Sequence, residues 1–367
     1  MLTNIQATLK THKFLLLALL FAFLNMVAIF SIFGFQKYGD SGEYIDLIHW
    51  LQGGDVQVIM ARVLRPLGPF LALPFDFLGA GAGLVVQNII FYFLVTFLIF
   101  KIIELIYQDK KQAFWASLFF VTATPVIESG LAYLTDAGAW FFYLLSLFLT
   151  LQYLKNKNDK LIILNGFLSG TGVLMKENGG LGILFFGLMI LFSKEFNAKQ
   201  KISKIMRFGI FFLIPIILLQ FFAYRYFHFT YWDWYLRNLP GARGEGIFLS
   251  SLRYLGQLFR ILGVLWIFIF IGFWREWREK NWERIKIYLA LIPASFSFLL
   301  WSTSGSARAV FIFAPLGILL ASYGFKKIKP LIMVSVISIM IVLNYLFVSV
   351  NQKVSFADMI YDFLKKL

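Results

Sequence analysis

Four acids crowd the chain just after its first long apolar run. Asp40, Glu43, Asp46 and Asp55 follow residues 14–34, the first two inside Tyr38-Gly39-Asp40-Ser41-Gly42-Glu43-Tyr44. Carboxylates pinned to the end of a membrane helix suggest chemistry performed at a membrane surface. Asp40 and Glu43 stand three apart, so they share a face if the segment is helical. Other ionisable groups recur at the same kind of place. Glu128 and Asp136 precede or open a fourth apolar segment, Lys176 and Glu177 close a fifth, and Arg308 opens a tenth, after Ser302-Thr303-Ser304-Gly305-Ser306. Singly, each has a plain structural explanation: a helix-start acid for Asp136, a snorkelling lysine for Lys176, an interface anchor for Arg308. For Glu128 and Arg62 the plain explanation is the preferred one. Jointly, acids and cations gathered at one membrane face around short helices fit a site.

The elements that would position these groups are membrane helices. The chain has 367 residues, 60% hydrophobic and 19% aromatic, with mean hydropathy +0.76. A bilayer core needs about 20 apolar residues per helical span, and such runs repeat from end to end, roughly 14–34, 83–107, 112–127, 137–154, 161–175, 179–193, 208–224, 257–274, 287–301, 309–324 and 331–350. The expectation is an all-α polytopic membrane protein of about 11 transmembrane helices. It forms a single transmembrane domain over 1–367, divided into 1–195 and a more variable 196–367. Segments 112–127 and 161–175 are short and are expected to be tilted, broken or shielded. Alternating ten-residue barrel patterning is absent. The first run is longer than a signal-peptide core and lacks a small-x-small cleavage site, so it reads as an uncleaved span. With no cysteine, disulfides and thiolate metal sites are excluded, and His12, His49 and His228 form no metal motif.

Charge predicts the orientation. With the N-terminus in the cytoplasm, 21 of the 34 basic residues and seven of the 19 acids fall on the cytoplasmic side, net +14, which leaves +1 for the other face. This is the positive-inside distribution of a multi-pass protein of the cell membrane. It makes the overall +15 topological and speaks against nucleic acid. Eight of 12 arginines (Arg62, Arg65, Arg225, Arg237, Arg243, Arg253, Arg260 and Arg308) lie on the outer face, against five of 22 lysines. The arginine fork suits phosphate and carboxylate, and interface anchoring is the alternative.

Two outer loops are long. Loop 35–66 holds the acids and a short amphipathic helix, Gly42 to Leu51, ending at Gly53-Gly54. Loop 225–256 is rich in Tyr and Trp, including Trp232 and Trp234, and then in glycine (Gly241, Gly244, Gly246). Aromatics at this depth form an interface belt, or stack on sugar rings or an isoprenoid tail. The tail 351–367 has the spacing of an amphipathic surface helix.

Four stretches in this order carry a resemblance: Gly39-Asp40-Ser41 with Glu43-Tyr44; Arg65-Pro66-Leu67-Gly68-Pro69-Phe70-Leu71; Tyr133-Leu134-Thr135-Asp136 followed by Trp140-Phe141-Phe142-Tyr143; and the glycine-bearing Gly166 to Glu177. Together they resemble the GT-C glycosyltransferases, the membrane fold of protein O-mannosyltransferases and aminoarabinose lipid A transferases, over about half the chain. The first motif departs from the family's pattern in having Ser after its Asp, and the half after residue 195 matches only loosely, best at Ser306-Ala307-Arg308.

The resemblance implies transfer of a sugar from a polyprenyl-phosphate donor to a glycan, lipid or protein acceptor at the extracytoplasmic face, with inversion. Asp40 would be the base, with Glu43 or Asp136 positioning the acceptor. Lys176, Arg308 and Arg65 would take the donor phosphate, and Glu128, Tyr44, Trp232 and Trp234 would line the substrate site. Gly166, Gly170 and Gly172 permit close helix packing. No metal ligand set and no certain cofactor is implied, and a divalent cation stays open. The alternatives are a polymerase or ligase of lipid-linked glycans, which would use the arginines of loop 225–256; a lipid or solute transporter, which would carry mid-span charges and inverted repeats; and a non-enzymatic scaffold.

Overall fold

The structure, a computed structural model, describes the backbone of residues 2–79, 81–238, 247–300 and 307–351, and side chains over 12–79, 81–234, 236, 254–299 and 307–350. The tail helix expected over 351–367, the serine-rich stretch before Arg308, the loop glycines and the side chains of Arg237, Arg243 and Arg253 lie outside the described residues.

Every described element is helical: α1 (Leu2–Phe33), α2 (Gly39–Leu51), α3 (Met60–Val63), α4 (Leu67–Ala72), α5 (Ala82–Tyr107), α6 (Lys110–Val121), α7 (Asp136–Asn156), α8 (Lys160–Met175), α9 (Gly182–Phe192), α10 (Ala198–Phe227), α11 (Tyr231–Asn238), α12 (Ile247–Leu262), α13 (Leu265–Glu279), α14 (Trp282–Ser295), α15 (Ala307–Val310), α16 (Ala314–Phe325) and α17 (Pro330–Asn351), with single 3₁₀ or π turns between some of them. The eleven apolar segments all fall on helices, of unequal length. Among the described residues six helices are long and apolar enough to cross: His12–Phe33, Ala82–Tyr107, Asp136–Asn156, Ala198–Phe227, Ala307–Phe325 and Pro330–Val350. At about 1.5 Å per residue the 11 residues of α9 reach roughly 16 Å, half of a hydrocarbon core of about 30 Å. The segment read as one span over 257–274 is instead two helices, Tyr254–Leu262 and Leu265–Glu279, bent by 92°. Gly263 makes the break, at φ +45°, a backbone setting that costs a residue with a Cβ.

The helices sort by depth. α7 and α16 run through the interior, whereas α10 turns Ile210, Leu213, Ile217, Leu218 and Phe221 outward, a surface suited to lipid. α8 packs on α10 through glycines: a Cβ on Gly170 would stand 2.1 Å from the Phe212 carbonyl oxygen, and one on Gly166 2.6 Å from that of Phe208. The expected close packing is therefore present, although Gly172 meets Gly179 and Phe142 rather than α10.

Between α6 and α7 the chain leaves regular α-helix for residues 122–135, and nearly all of it is buried. Irregular backbone inside a membrane protein is tolerated only where protein groups satisfy its polar atoms. Here side chains do so. Asn344 donates to the carbonyl of Thr122 at 2.7 Å, Asn25 to that of Val121 at 3.0 Å, and Gln36 to that of Ile127 at 3.4 Å. Tyr38 donates to the carbonyl of Glu128. Asn88 donates to both Ala132, at 2.7 Å, and Leu134, at 2.8 Å. This clamped segment delivers Glu128 and Asp136 to the site.

Candidate active site

α2 begins where the first span ends. Gly34, at φ +63°, closes α1. Ser41 then accepts the Tyr38 backbone N–H at 2.9 Å, and its own N–H donates to the Tyr38 carbonyl at 2.9 Å. The buried side of α2 carries Ser41, Tyr44, Leu47 and Ile48, the spacing of an amphipathic helix, and the expected surface helix is thus observed. Asp40 and Glu43 stand on its first turn and a half.

α7 and α8 meet the site with their ends. Met175, the last residue of α8, is wedged between glycines: a Cβ on Gly138 would lie 2.7 Å from its methyl carbon and one on Gly68 3.3 Å from its sulfur. That packing sets Lys176 directly above Asp136. Thr135, next to Asp136, donates to the Tyr44 hydroxyl at 3.1 Å, tying α7 to α2.

The charged groups form an alternating chain. Glu43 takes Arg62 Nε at 2.5 Å. Arg62 Nη2 reaches Asp40 Oδ2 at 3.5 Å. The same oxygen takes Arg308 Nη2 at 2.8 Å. Arg308 Nη1 stands 3.8 Å from Asp136 Oδ2, and Asp136 Oδ1 takes Lys176 Nζ at 2.5 Å. Asp136 is buried to 1% exposure, and Arg62 is nearly sealed at 8%, packed over the Tyr44 ring at 4.8 Å. Three acids and three cations thus span α2, α3, α7, the end of α8 and α15, from residues as distant in sequence as 40 and 308.

The remaining candidates lie beside this chain. Arg65 pairs with Glu177 at 2.8 Å and packs over Trp234 at 5.5 Å. Burial opposes its charge, and Glu177, then Tyr44, more than offset that and hold the proton on it. Glu128 pairs with Arg260 at 3.5 Å, and Arg260 lies over the Phe347 ring. Trp232 is 67% exposed. Arg62, read from the sequence as a plain anchor, is instead central to the network. In the sequence Arg260 is only one outer-face arginine, and Asn88 carries no signal: a buried asparagine in an apolar span reveals its role only when its acceptor is seen.

Electrostatics separates Asp40 from Glu128. Burial pushes the Asp40 carboxyl up, but Arg308, Arg62 and Lys176 together outweigh it and hold the group below its ordinary value. For Glu128 burial wins over Arg260 and Arg308, and the carboxyl is pushed up. Among the described residues no three His, Cys, Asp or Glu side chains are grouped to hold a metal ion.

Residues 75–222 match the family model described as dolichyl-phosphate-mannose-protein mannosyltransferase. Among solved structures the chain is similar to the crystal structure of ArnT from Cupriavidus metallidurans bound to undecaprenyl phosphate, at 14% identity and a TM-score of 0.65 over 88% of this chain. It covers 61% of that chain, less than two thirds of its length. No curated protein matches the sequence. The resemblance carried by the four motifs holds at the level of architecture: the fold of this chain is that of the GT-C membrane glycosyltransferases.

Proposed function

We propose that the protein transfers a sugar from a polyprenyl-phosphate donor to an acceptor hydroxyl at the face of the membrane away from the cytosol, with inversion at the anomeric carbon. The acceptor is a glycan, a lipid or a protein. The observation that carries this reading is the convergence of Asp40 and Asp136 on Arg308 beside Lys176. It places a partly exposed carboxylate next to two cations that suit a phosphate. A match to a mannosyltransferase family model and a structural neighbour that holds undecaprenyl phosphate both favour the same donor class.

The chemistry asks for one base and strong anion stabilisation. The acceptor oxygen bonds to the anomeric carbon while the bond from that carbon to the phosphate oxygen breaks. The electron pair stays on the departing lipid phosphate, and the acceptor's proton passes to Asp40. The leaving group is already a competent anion, so no strong acid is required. Lys176 and Arg308 offset its developing charge. Asp136, buried and doubly contacted, holds those two cations in place, and Glu43 holds Arg62. Arg65, paired with Glu177 at 2.8 Å and packed over Trp234, stands beside these groups as a third cation for the phosphate.

The test is transfer by purified protein in lipid nanodiscs, offered polyprenyl-phosphate sugars of several kinds. Consumption of one donor is expected, with loss of about 10²- to 10⁴-fold in rate for Asp40→Asn, the usual contribution of a general base. Full activity in that variant would remove Asp40 from the role.

A further inference from the structure

The cations named at the site are each already paired with a carboxylate. Among the described residues Arg62 holds Glu43, Arg65 holds Glu177, Lys176 holds Asp136, Arg260 holds Glu128, and Arg308 holds Asp40. A phosphate that enters such a site must take a cation from a carboxylate. Arg308 is the cation best placed to be taken. Its side chain is 25% exposed, against 8% for Arg62 and 10% for Arg65. Its Nη1 is buried and has no hydrogen-bond partner, and Asp136 Oδ2 stands 3.8 Å away. A desolvated guanidinium nitrogen without an acceptor is costly, and an arriving phosphate oxygen would satisfy it.

Resting on the reading above, we infer that Arg308 is a shared clamp: it restrains Asp40 in the empty site, and the donor phosphate draws it away, so that Asp40 becomes an effective base only when the donor is in place. Asp40 does not lose its position when this happens, because Arg62, fixed by Glu43, still reaches the same oxygen at 3.5 Å. What it loses is the 2.8 Å contact, the nearer and stronger of its two. The groups that face Asp40 are Arg308 from α15, Arg62 from α3, Lys176 at the end of α8 and Asp136 from α7, with Glu43 and Tyr44 on its own helix. Of the three cations among them, Arg308 is the one in hydrogen-bond contact with Asp40. Its departure removes a nearby positive charge while the phosphate adds a negative one, and both changes favour the protonated carboxyl. The consequence is an order of events. Without donor, Asp40 holds a proton poorly and is a weak base. With donor, the same carboxylate accepts a proton readily.

Infrared difference spectroscopy on the full chain in nanodiscs tests this, with undecaprenyl phosphate as the probe and Asp40→Asn subtracted to isolate the carboxyl band. In wild type the protonation midpoint of Asp40, followed between about pH 3 and 7, is expected to rise by about one unit or more when the lipid binds. In Arg308→Gln the midpoint is expected to be raised already without lipid, and Arg308→Lys, which keeps the charge without the fork, to fall between. A wild-type midpoint that stays put while the lipid demonstrably binds overturns the clamp and leaves the proposed function standing. So does an Arg308→Gln midpoint equal to that of wild type in folded protein. Failure of undecaprenyl phosphate to bind would overturn the polyprenyl-phosphate reading itself, and the clamp with it.

Discussion

Asp40 shows how much a single carboxyl is governed by its neighbours. Burial raises its pKa, and Arg308, Arg62 and Lys176 pull it below the ordinary value of 3.8. A folded-state value depressed below the unfolded one contributes stability that is present above about pH 4 and is lost as the pH falls through the folded value. Asp40→Asn should therefore lower the thermal midpoint at pH 7, with the difference from wild type shrinking as the pH is taken toward 3. A difference independent of pH, in a thermal shift series, would mean the carboxylate is not held by those cations. Lys176 has a different part. Its ammonium is the direct partner of an Asp136 that is almost wholly buried. Lys176→Ala should raise the donor KM by about tenfold or more, through loss of one phosphate contact worth about 1.5–3 kcal/mol, and should lower stability by leaving Asp136 with only the 3.8 Å contact to Arg308. Asp40, Asp136, Lys176 and Arg308 were all legible in the sequence, because ionisable residues at the ends of apolar segments are expensive and stand out. Arg62 was not, because its importance lies in partners 19 and 22 residues away on a different helix.

At the scale of elements, the segment from 122 to 135 matters most. Its backbone depends on side chains from α5, α17 and the stretch between α1 and α2 for hydrogen bonds, and Asn88 supplies two of them. Asn88→Leu keeps the branched outline and removes both N–H donors, leaving the buried Leu134 carbonyl unpaired at about 1–3 kcal/mol, while the Ala132 carbonyl keeps only the Leu134 N–H. It should also displace Asp136, so transfer should fall well beyond what the stability loss explains. A variant that is destabilised but transfers at the wild-type rate below its melting temperature would show that the clamp supports the fold alone. The sequence disclosed the existence of nearly every helix, since hydropathy reports apolar length. It did not disclose which helices cross. The 12 residues of α6 and the 11 of α9 look alike in a hydropathy trace, yet α6 is almost wholly covered by neighbouring helices whereas α9 turns Leu184 and Leu191 outward. Nor did it disclose the 92° bend at Gly263, since a lone glycine in an apolar run reads equally as a packing contact.

For the whole molecule the informative pattern is how charge divides between the two ends of the bundle. The acid–cation chain around Asp40 occupies one end, whereas α7 runs from Asp136 in that chain to Lys157 at its far end, where Lys157 pairs with Glu195, and nearby Asp159 holds Lys204 and Arg207. Lysine-rich loops on a single side are the signal that sets insertion, and on the proposed reading the Asp40 end lies away from the cytosol, where polyprenyl-linked sugars would be consumed. The absence of cysteine in the natural chain makes this directly measurable. Asp55 and Lys199 are both exposed, the first just past α2 and the second in the first turn of α10, at the opposite end. In intact cells, Asp55→Cys should react with a membrane-impermeant maleimide and Lys199→Cys should not, with both labelled once the membrane is permeabilised. The reverse pattern would put the Asp40 end in the cytosol, and the acceptor would then have to be sought among cytosolic molecules.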